Sequence, residues 1–449
     1  MSGVGYVSTV VLLLLIAGTA FTAETVPPLL SPDDLAFLTD MAKATLESSR
    51  VAPGAMVGKI GPNTSGGTLI RPGGREDYPA FWIRDYAMSV ECGIIPAEEQ
   101  LHALRYTAAH QIDKETTLPT GSVLPVGSIA DHISFGGVPI FFPGILEDSE
   151  KQGGPQWGIL PSLDDHFYFV RMAALYFKAA GSAEFLKEDI NGKQLIERLE
   201  AAYAMPPNDP GTGVVRVEEK NRGVNFGFFD CVTHTGDLFF ASVLKYRAAT
   251  DLAVLFDALG RAEQAKTYRD NAARLRDTLP KRFPADRGIL RASTGLSAQP
   301  DVWGTAFAVY VGALPPDVEK AACEGLATAL KNGTIAWKGG IRHVPTDADF
   351  SKKGAWEKAL AGKNTYQNGA YWDTPTGWVC FAVAKADPGA AKALAKDLVD
   401  ELREGDFRKG EEFGSPWECF HPDKNHRQNP IYLASVTAPL DAFQRMEGR

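Results

Sequence analysis

Two acidic residues lie in loop segments that give them no obvious structural task. Asp230 follows two phenylalanines, and Glu418 directly follows Trp417. An apolar environment raises the pKa of a carboxylic acid, which suits a general acid that works near neutral pH. A hydrogen-bonded structural carboxylate in a loop would give the same pattern, so both interpretations stay open. Separation along the sequence does not show whether the two carboxyl groups meet.

A segment nearer the N-terminus, Pro79–Tyr86, groups side chains that suit a sugar. Trp82 offers an aromatic face, Arg84 a guanidinium fork and Asp85 a carboxylate acceptor. A sugar presents both hydroxyl groups and an apolar C–H face, so this trio matches it. A buried Arg–Asp ion pair packed by a tryptophan is the structural alternative.

Two further loops contain polar residues whose role is ambiguous. In Gln156–Phe167, Asp165 is a candidate substrate contact and Asp164 a helix cap, although capping alone would explain either residue. In the next loop, Asp237 precedes an amphipathic helix and is predicted to be its N-cap or a first-turn residue. His234, in the same loop, is a candidate for a supporting hydrogen-bond donor or a substrate contact.

Loops near the C-terminus complete the set. Asn364–Trp378 is a polar and aromatic loop that opens a helix, and it contains Asn368 and Trp372. Two carboxylic acids from distant loops fit the minimal machinery for glycoside hydrolysis, because one protonates the leaving oxygen and the other activates water or attacks carbon. The histidines show no metal-ligand spacing, so metal binding is not predicted.

Paired helices must position these loops. Apolar residues at helical spacing predict the helices Asp33–Ser49, Asp164–Ala180, Asp237–Leu259, Ala262–Leu279, Val302–Ala313, Asp317–Leu330, Thr374–Lys385 and Gly389–Arg403. The hairpin partner of the Asp164–Ala180 helix is predicted to lie within Ala183–Ala204. Short strands are predicted within Val214–Glu218 and Gly339–Val344. Repeated helical hairpins that bury one face against their neighbours can close into a ring, so we predict an all-α toroid, with an open solenoid as the alternative.

The segments resemble the (α/α)6-barrel, or six-hairpin, glycosidases, particularly trehalases, processing α-glucosidases of glycoside hydrolase family 63 and glucosylglycerate hydrolases. Phe81–Asp85 is similar to the first barrel loop of that group, which holds the sugar before the cleaved bond. Gln367–Trp372 is similar to a segment that lines the sugar site. Trp417–Pro422 is similar to the Glu-x-Tyr-x-Pro segment that carries the general base.

This resemblance implies one (α/α)6 domain over residues 31–449, with six helical hairpins and short β-hairpins in the loops. It implies an inverting hydrolase for an oligosaccharide or small glycoside, an α-glucoside or related α-hexoside, with Asp230 as general acid and Glu418 as general base. Their carboxyl groups would then lie about 6.5–9.5 Å apart. The resemblance implies no organic cofactor. The family's Gly-x-Asp-x-Ser-Pro reads Phe-Phe-Asp-Cys-Val-Thr here, so Asp237 is kept as second candidate for the acid. The implied substrate contacts are Trp82, Arg84, Asp85, Asp165, His234, Asn368, Trp372 and Trp417.

Other functions fit the same architecture. A polysaccharide lyase or a sugar epimerase would use histidine, tyrosine or arginine instead of a carboxylate pair, and the chain offers five candidate histidines: His132, His166, His234, His343 and His421. A barrel that binds carbohydrate without catalysis is the third possibility. Histidines that face each other across a cleft would favour an epimerase, and facing carboxylates would favour a hydrolase.

The N-terminus and the charge balance indicate where the protein acts. Val7–Phe21 is an apolar run followed by small residues, so residues 1–23 are predicted to be a signal peptide cleaved after Ala20 or Ala23. An uncleaved membrane anchor is the alternative. The predicted location is periplasmic or extracellular, with no membrane partner after cleavage. The net charge of -9 offers no basic face for nucleic acid. Five scattered cysteines indicate no disulfide framework.

Overall fold

A computed structural model describes residues 28–58, 61–75, 78–119, 121–142 and 158–448. The described part contains twelve α-helices and several small sheets. The helices are α1 Pro32–Ser49, α2 Ile83–Val90, α3 Ala97–Ala109, α4 Asp165–Ala180, α5 Leu195–Ala204, α6 Phe239–Ala258, α7 Ala262–Arg282, α8 Val302–Tyr310, α9 Pro316–Lys331, α10 Thr376–Ala384, α11 Pro388–Glu404 and α12 Ala434–Met446.

The strands are short and lie in the loops between helices. They are β1 Arg50–Val51, β2 Met56–Val57, β3 Gly61–Pro62, β4 Leu69–Ile70, β5 Ala80–Trp82, β6 Thr116–Thr117, β7 Val123–Leu124, β8 His132–Ser134, β9 Pro139–Ile140, β10 Asp189–Ile190, β11 Lys193–Gln194, β12 Arg216–Val217, β13 Gly236–Asp237, β14 Ala285–Asp286, β15 Ile289–Leu290, β16 Ala336–Trp337, β17 Gly340–Arg342, β18 Tyr371–Trp372, β19 Trp417–His421 and β20 His426–Pro430. The largest sheet is antiparallel and five-stranded, in the order β16-β17-β18-β19-β20.

Helices with even numbers contact one another in sequence order. Each of α2, α4, α6, α8, α10 and α12 packs against the next, and α12 packs back against α2. Odd-numbered helices contact their even-numbered neighbours, as α7 does with α6 and α11 with α10. This order is consistent with a helical toroid that has an inner and an outer layer.

Burial patterns explain which helices lie inside. Every residue of α8 is buried, as expected for a helix with neighbours on all sides. The outer helix α11 instead buries a single stripe at helical spacing and exposes its charged residues. That stripe consists of Ala391, Leu394, Ala395, Leu398, Val399 and Leu402.

Most predicted helices are confirmed within a few residues, and the differences have physical causes. The helix predicted within Ala183–Ala204 is α5, which occupies the second half of that segment after a 3₁₀ turn and the hairpin β10–β11. The sequence did not reveal α2, a helix of eight residues whose polar side chains are buried together with its apolar ones. It also missed α3 and α12, and α12 contains an internal proline, Pro439.

The predicted signal peptide, residues 1–23, lies outside the described residues. Among the described helices, none is long and apolar enough to cross a membrane. All five cysteines are buried and free.

Candidate active site

Hydrogen bonds from Gln367 fix the turn that carries Asp230. Asp230 ends a short 3₁₀ turn over Gly227–Phe229. The Gln367 side-chain amide donates to the carbonyl of Gly227 at 2.9 Å and accepts the N–H of Cys231 at 2.8 Å. These two bonds bracket Asp230 and give its half-buried side chain a defined position.

Arg84 lies at the centre of a buried carboxylate cluster. It belongs to the first turn of α2 and is only 5% exposed. Its Nε donates to Asp164 at 2.8 Å, and its Nη2 donates to Asp131 at 2.5 Å and to Asp165 at 2.7 Å. Ser162 Oγ accepts a further bond from Nη2 at 2.9 Å. The loops that precede α2 and α4 are thereby joined through one guanidinium group.

One cation faces three carboxylates in this cluster, and their protonation differs accordingly. Burial, helped by the neighbouring carboxylate charges, outweighs Arg84 and raises the pKa of Asp165 well above its usual range. Burial also opposes ionisation of Asp131, but Arg84 and the hydrogen bond from His132 lower the pKa of that carboxyl to about 2. We therefore expect Asp131 to be ionised and Asp165 to hold a proton at neutral pH.

The turn of the candidate acid packs directly on this cluster. The N–H of Gly227 donates to Asp164 at 2.9 Å. A Cβ atom at Gly227 would lie 2.0 Å from Arg84 Nε, so no side chain fits at this position. A glycine is required here by the close approach of the guanidinium group.

Glu418 lies on β19 with two polar partners. Asn429, on the neighbouring strand β20, donates a hydrogen bond to its carboxylate and another to Tyr78 Oη at 3.0 Å. Asn429 has a φ of 45°, a left-handed conformation that is uncommon outside glycine and is concentrated at functional sites. Glu418 itself is only 2% exposed.

Three predicted substrate contacts lie where β5 ends and α2 begins, namely Trp82, Arg84 and Asp85. Trp82 pairs with His132 across β5 and β8, and their rings stack with centroids 4.2 Å apart. Asp85 accepts a hydrogen bond from Tyr432. Burial raises the pKa of Asp85 to about 6 even though Arg84 and Tyr432 favour its ionised form.

Both candidate catalytic carboxyl groups have raised pKa values. Burial raises the pKa of Asp230 to about 7 and that of Glu418 to about 8, and the charges of Asp85 and Asp230 contribute to the shift of Glu418.

The segments that carry these two groups both pack against Tyr432. The ring of Phe228, two residues before Asp230, lies 6.5 Å from the Tyr432 ring between centroids. The ring of Tyr78, which accepts a hydrogen bond from the same Asn429 amide that donates to Glu418, lies 5.8 Å from it.

The raised pKa of Glu418 predicts how stability changes with pH. The folded state binds a proton more tightly than the unfolded chain, whose carboxyl has an ordinary value of 4.5, so stability falls as pH rises from about 4.5 toward 8. Glu418→Gln removes this penalty. At about 1.4 kcal/mol per pKa unit, we expect the variant to gain on the order of 4 kcal/mol over wild type at pH 8.5 and less than about 1 kcal/mol at pH 5 in urea unfolding.

A matched substitution separates this effect from general loss of charge. Glu324→Gln removes an exposed carboxylate on α9, where burial cannot contribute. Its stability difference from wild type should be small and similar at both pH values. An equal gain for Glu418→Gln at pH 5 and pH 8.5 would contradict the assigned environment.

Two predicted substrate contacts lie in packed surroundings. His234 is 1% exposed, and its ring lies edge-on to Phe229 and Trp356. Trp372 is fully buried beside Phe228. Both side chains therefore pack against the phenylalanines of the turn that precedes Asp230.

Asn368 also has a structural environment. Its side chain accepts the N–H of Ala355 at 2.9 Å and donates to the carbonyl of Ala361 at 2.8 Å. It is 2% exposed, so in this structure its amide group holds the 355–368 loop together. The neighbouring Gln367, which the sequence did not single out, has the contacts to the Asp230 turn.

Trp417 belongs to a different surface. It lines a groove with Trp337 and Glu401, and Arg427 lies over its ring at 5.8 Å. Its half-buried indole contributes to that groove. Trp417 and Glu418 are adjacent in sequence, but their side chains have different neighbours: Trp417 lies in this groove, whereas Glu418 bonds with Asn429.

Two predictions about helix capping are wrong. Asp237 lies in β13, and Leu238 occupies the N-cap of α6 because the chain is still extended at that point. Asp164 occupies the N-cap of α4, but its carboxylate makes no capping bond and binds Arg84 instead. Asp237 lies near Arg216 and Arg282, with side-chain separations of 3.8 and 3.7 Å.

Several polar groups of the site were not predicted. Tyr78 lies one residue before the segment singled out above, and its proximity to Trp82 was the available signal. Asn429, Asp131 and Tyr432 gave no sequence signal, because each is recognisable only by its partner in space. Within the described residues, no group of three or more histidine, cysteine or acidic side chains is arranged to hold a metal ion.

No protein-family model and no curated protein matches the sequence. Solved structures do match. A glycoside hydrolase family 15 glucoamylase from Hypocrea jecorina superposes with a TM-score of 0.59 at 13% identity, over 93% of this chain and 72% of that one.

A second structural neighbour is the family 63 mannosylglycerate hydrolase from Thermus thermophilus in complex with glucose. It has a TM-score of 0.56 at 13% identity, covering 90% of this chain and 99% of that one. The chain shares its fold with glycosidases. A wild-type glycosidase gives a TM-score of 0.53 over 93% of this chain and 99% of its own. The predicted resemblance is thus confirmed as a likeness of fold, because identity of 13% carries no more than that.

Proposed function

We propose that the protein is an exported glycoside hydrolase built as an (α/α)6 toroid of six hairpins, and that it inverts the configuration of an α-glucoside or related α-hexoside. The observation that carries the proposal is the pair Asp230 and Glu418. They come from segments nearly 190 residues apart, and Glu418 is buried while Asp230 is half-buried. The closed order of contacts among even-numbered helices supports the toroid.

Resemblance and geometry bear differently on the roles of the two carboxyl groups. Trp417–Pro422 resembles the segment that carries the general base, so we assign that role to Glu418. Burial raises the pKa of Glu418 to about 8, and the hydrogen bonds from Asn429 and Tyr78, which favour the ionised form that a base needs, offset only part of this rise. Glu418 must therefore lose its proton before it activates water. Asp230 follows two buried phenylalanines, which favour a protonated acid. Asp230 would protonate the glycosidic oxygen while Glu418 takes a proton from water on the opposite face of the sugar.

The remaining polar groups would hold the sugar at the cleaved bond. Arg84 uses Nε and Nη2 within its cluster, and its Nη1 makes no hydrogen bond to a described residue. Asp85 and the half-buried ring of Trp82 lie on the same junction. A guanidinium nitrogen, a carboxylate and an aromatic face are the groups that a hexose requires.

A small α-linked substrate is favoured over a polysaccharide. The structural neighbours include glycosidases crystallised with glucose and a hydrolase of mannosylglycerate. Export is supported by the apolar run Val7–Phe21 and the small residues after it. Neither point depends on the roles assigned to Asp230 and Glu418.

The stereochemical outcome tests the proposed mechanism. Proton NMR of wild-type protein with α-glucosides and mannosylglycerate should show the β-anomer of the released sugar first, followed by mutarotation. The double variant Asp230→Asn/Glu418→Gln serves as the blank, since it keeps the shape of both side chains. Initial release of the α-anomer would contradict inversion. An unsaturated product that absorbs in the ultraviolet would instead indicate a lyase.

A further inference from the structure

A second cavity lies between α5, α6 and α7, outside the carboxylate site. Its volume is about 360 Å³, within the usual range of small-molecule pockets. Tyr203 and Tyr268 form part of its wall, with their rings edge-on and centroids 5.2 Å apart. None of the residues discussed for glycoside hydrolysis lines it.

Lys245 of α6 lines this cavity and has no ionic partner among the described residues. Lys245 is only 4% exposed to solvent. Its Nζ makes no hydrogen bond or ion pair with the described residues, and its one recorded contact is with the face of the Tyr203 ring, 5.3 Å from the centroid. An ammonium group has three N–H donors and a high cost of burial when they are unpaired. Its acceptors must therefore come from water or another molecule in the cavity that Lys245 lines.

Other side chains of the cavity add positive charge and hydrogen-bond capacity. Arg274 reaches the same cavity from α7 and donates to Asn271, but forms no ion pair with a described residue. The acidic residue of the wall, Glu200, accepts a hydrogen bond from Tyr268 at 2.9 Å. Two cations thus face one carboxylate, which leaves the cavity with an excess of positive charge.

We propose that this cavity binds the oxyanion of a small molecule, a carboxylate or a phosphate group, between Lys245 and Arg274. The aromatic walls suit the organic part of such a molecule, and the charge excess suits its anionic part. An oxyanion would give Nζ the acceptors it lacks. Neither Asp230 nor Glu418 lines this cavity, so binding of an oxyanion there does not depend on the proposed hydrolysis.

A cation–π contact is the competing explanation for the buried lysine. Such a contact stabilises an ammonium group, but the ring face engages one side of it and leaves the other donors unpaired. Burial and the charge of Arg274 also lower the pKa of Lys245 to about 7, the direction expected for a cation without a carboxylate partner. The contact with Tyr203 alone therefore leaves the lysine incompletely satisfied.

Titration calorimetry at pH 6, where Lys245 is protonated, tests the site. Inorganic phosphate and gluconate are titrated separately at constant ionic strength into the full-length protein and into Lys245→Met. We expect saturable binding of at least one probe to wild type and a loss of about 10-fold or more in Lys245→Met, because a charge-assisted hydrogen bond is removed. Binding of phosphate alone or gluconate alone would identify which oxyanion the site prefers.

The control is Lys178→Met, which removes a lysine in the last turn of α4, outside the cavity. It should bind both probes as wild type does. Lys245→Met should keep or raise the melting temperature, because an unpaired buried cation is replaced by an apolar chain of similar length. If that variant does not fold, Arg274→Ala at an exposed position gives the same test. No saturable binding of either probe, or unchanged binding in the variants, would overturn the proposal.

Discussion

Asp230→Asn is expected to lower kcat for an alkyl α-glycoside by about 1,000-fold and to leave an activated aryl glycoside much less affected. General acid catalysis contributes roughly 10²–10⁴-fold when the leaving group needs a proton. A 2,4-dinitrophenolate group leaves without one, so the loss of the acid matters little for that substrate. Asparagine keeps the shape of the side chain and its place after the Gly227–Phe229 turn.

The Glu418→Gln variant should behave differently. Activation of water is required whatever the leaving group, so both substrates should lose about 1,000-fold or more in kcat. Steady-state kinetics with the two substrates therefore separates an acid from a base. Reversed patterns for the two variants would exchange the roles of Asp230 and Glu418.

Asp237→Asn is the matched control for the acid assignment. It makes the same chemical change seven residues further along the chain, at a residue whose carboxylate lies near Arg216 and Arg282. We expect normal kcat on both substrates and at most a small loss of stability. Activity lost in Asp237→Asn but kept in Asp230→Asn would instead make Asp237 the acid.

The parts of this fold that could be predicted are those with a local signal. Helix α11 has apolar residues at helical spacing because it buries one stripe against the inner layer. Helix α6 belongs to that layer and is recognisable by its length and its high content of apolar residues. Helix α2 has only eight residues, and its polar side chains, such as Arg84, are buried by partners distant in sequence. The closure of α12 onto α2 is equally non-local.

The candidate site divides in the same way. Asp230 and Glu418 could be selected because an acid among aromatic residues is unusual in a loop. Asn429 could not, since its role follows from the pairing of β19 with β20 and from a positive φ. His234 and Asn368 show the converse limit, because the sequence did not indicate their contacts with Phe229 and with Ala355, which only the fold creates.

Arg84→Met is expected to destabilise the fold by about 3–5 kcal/mol, the usual cost of removing one partner from a buried ionic group. Methionine fills similar space, so the loss would come mainly from Asp131 and Asp164, whose carboxylates lose their cation. Urea unfolding at pH 7 measures the difference. Arg105→Met is the control, because the Arg105–Glu188 pair is largely solvent-accessible and should contribute less than about 1 kcal/mol.

The same cluster offers a second, opposite comparison. Burial raises the pKa of Asp165 well above its usual range, which favours the protonated form, so we expect Asp165→Asn to cost less stability than Asp131→Asn. In the Arg84→Met background, Asp165→Asn should have little further effect, whereas Asp131→Asn should restore part of the lost stability by removing an ionised carboxylate. If Asp165→Asn restored as much stability as Asp131→Asn, the charge distribution inferred for this cluster would be wrong.

Because Gly227 packs on Arg84, the same variants should also change the position of the Asp230 turn. We therefore expect each variant to lower kcat in proportion to its disruption of the cluster.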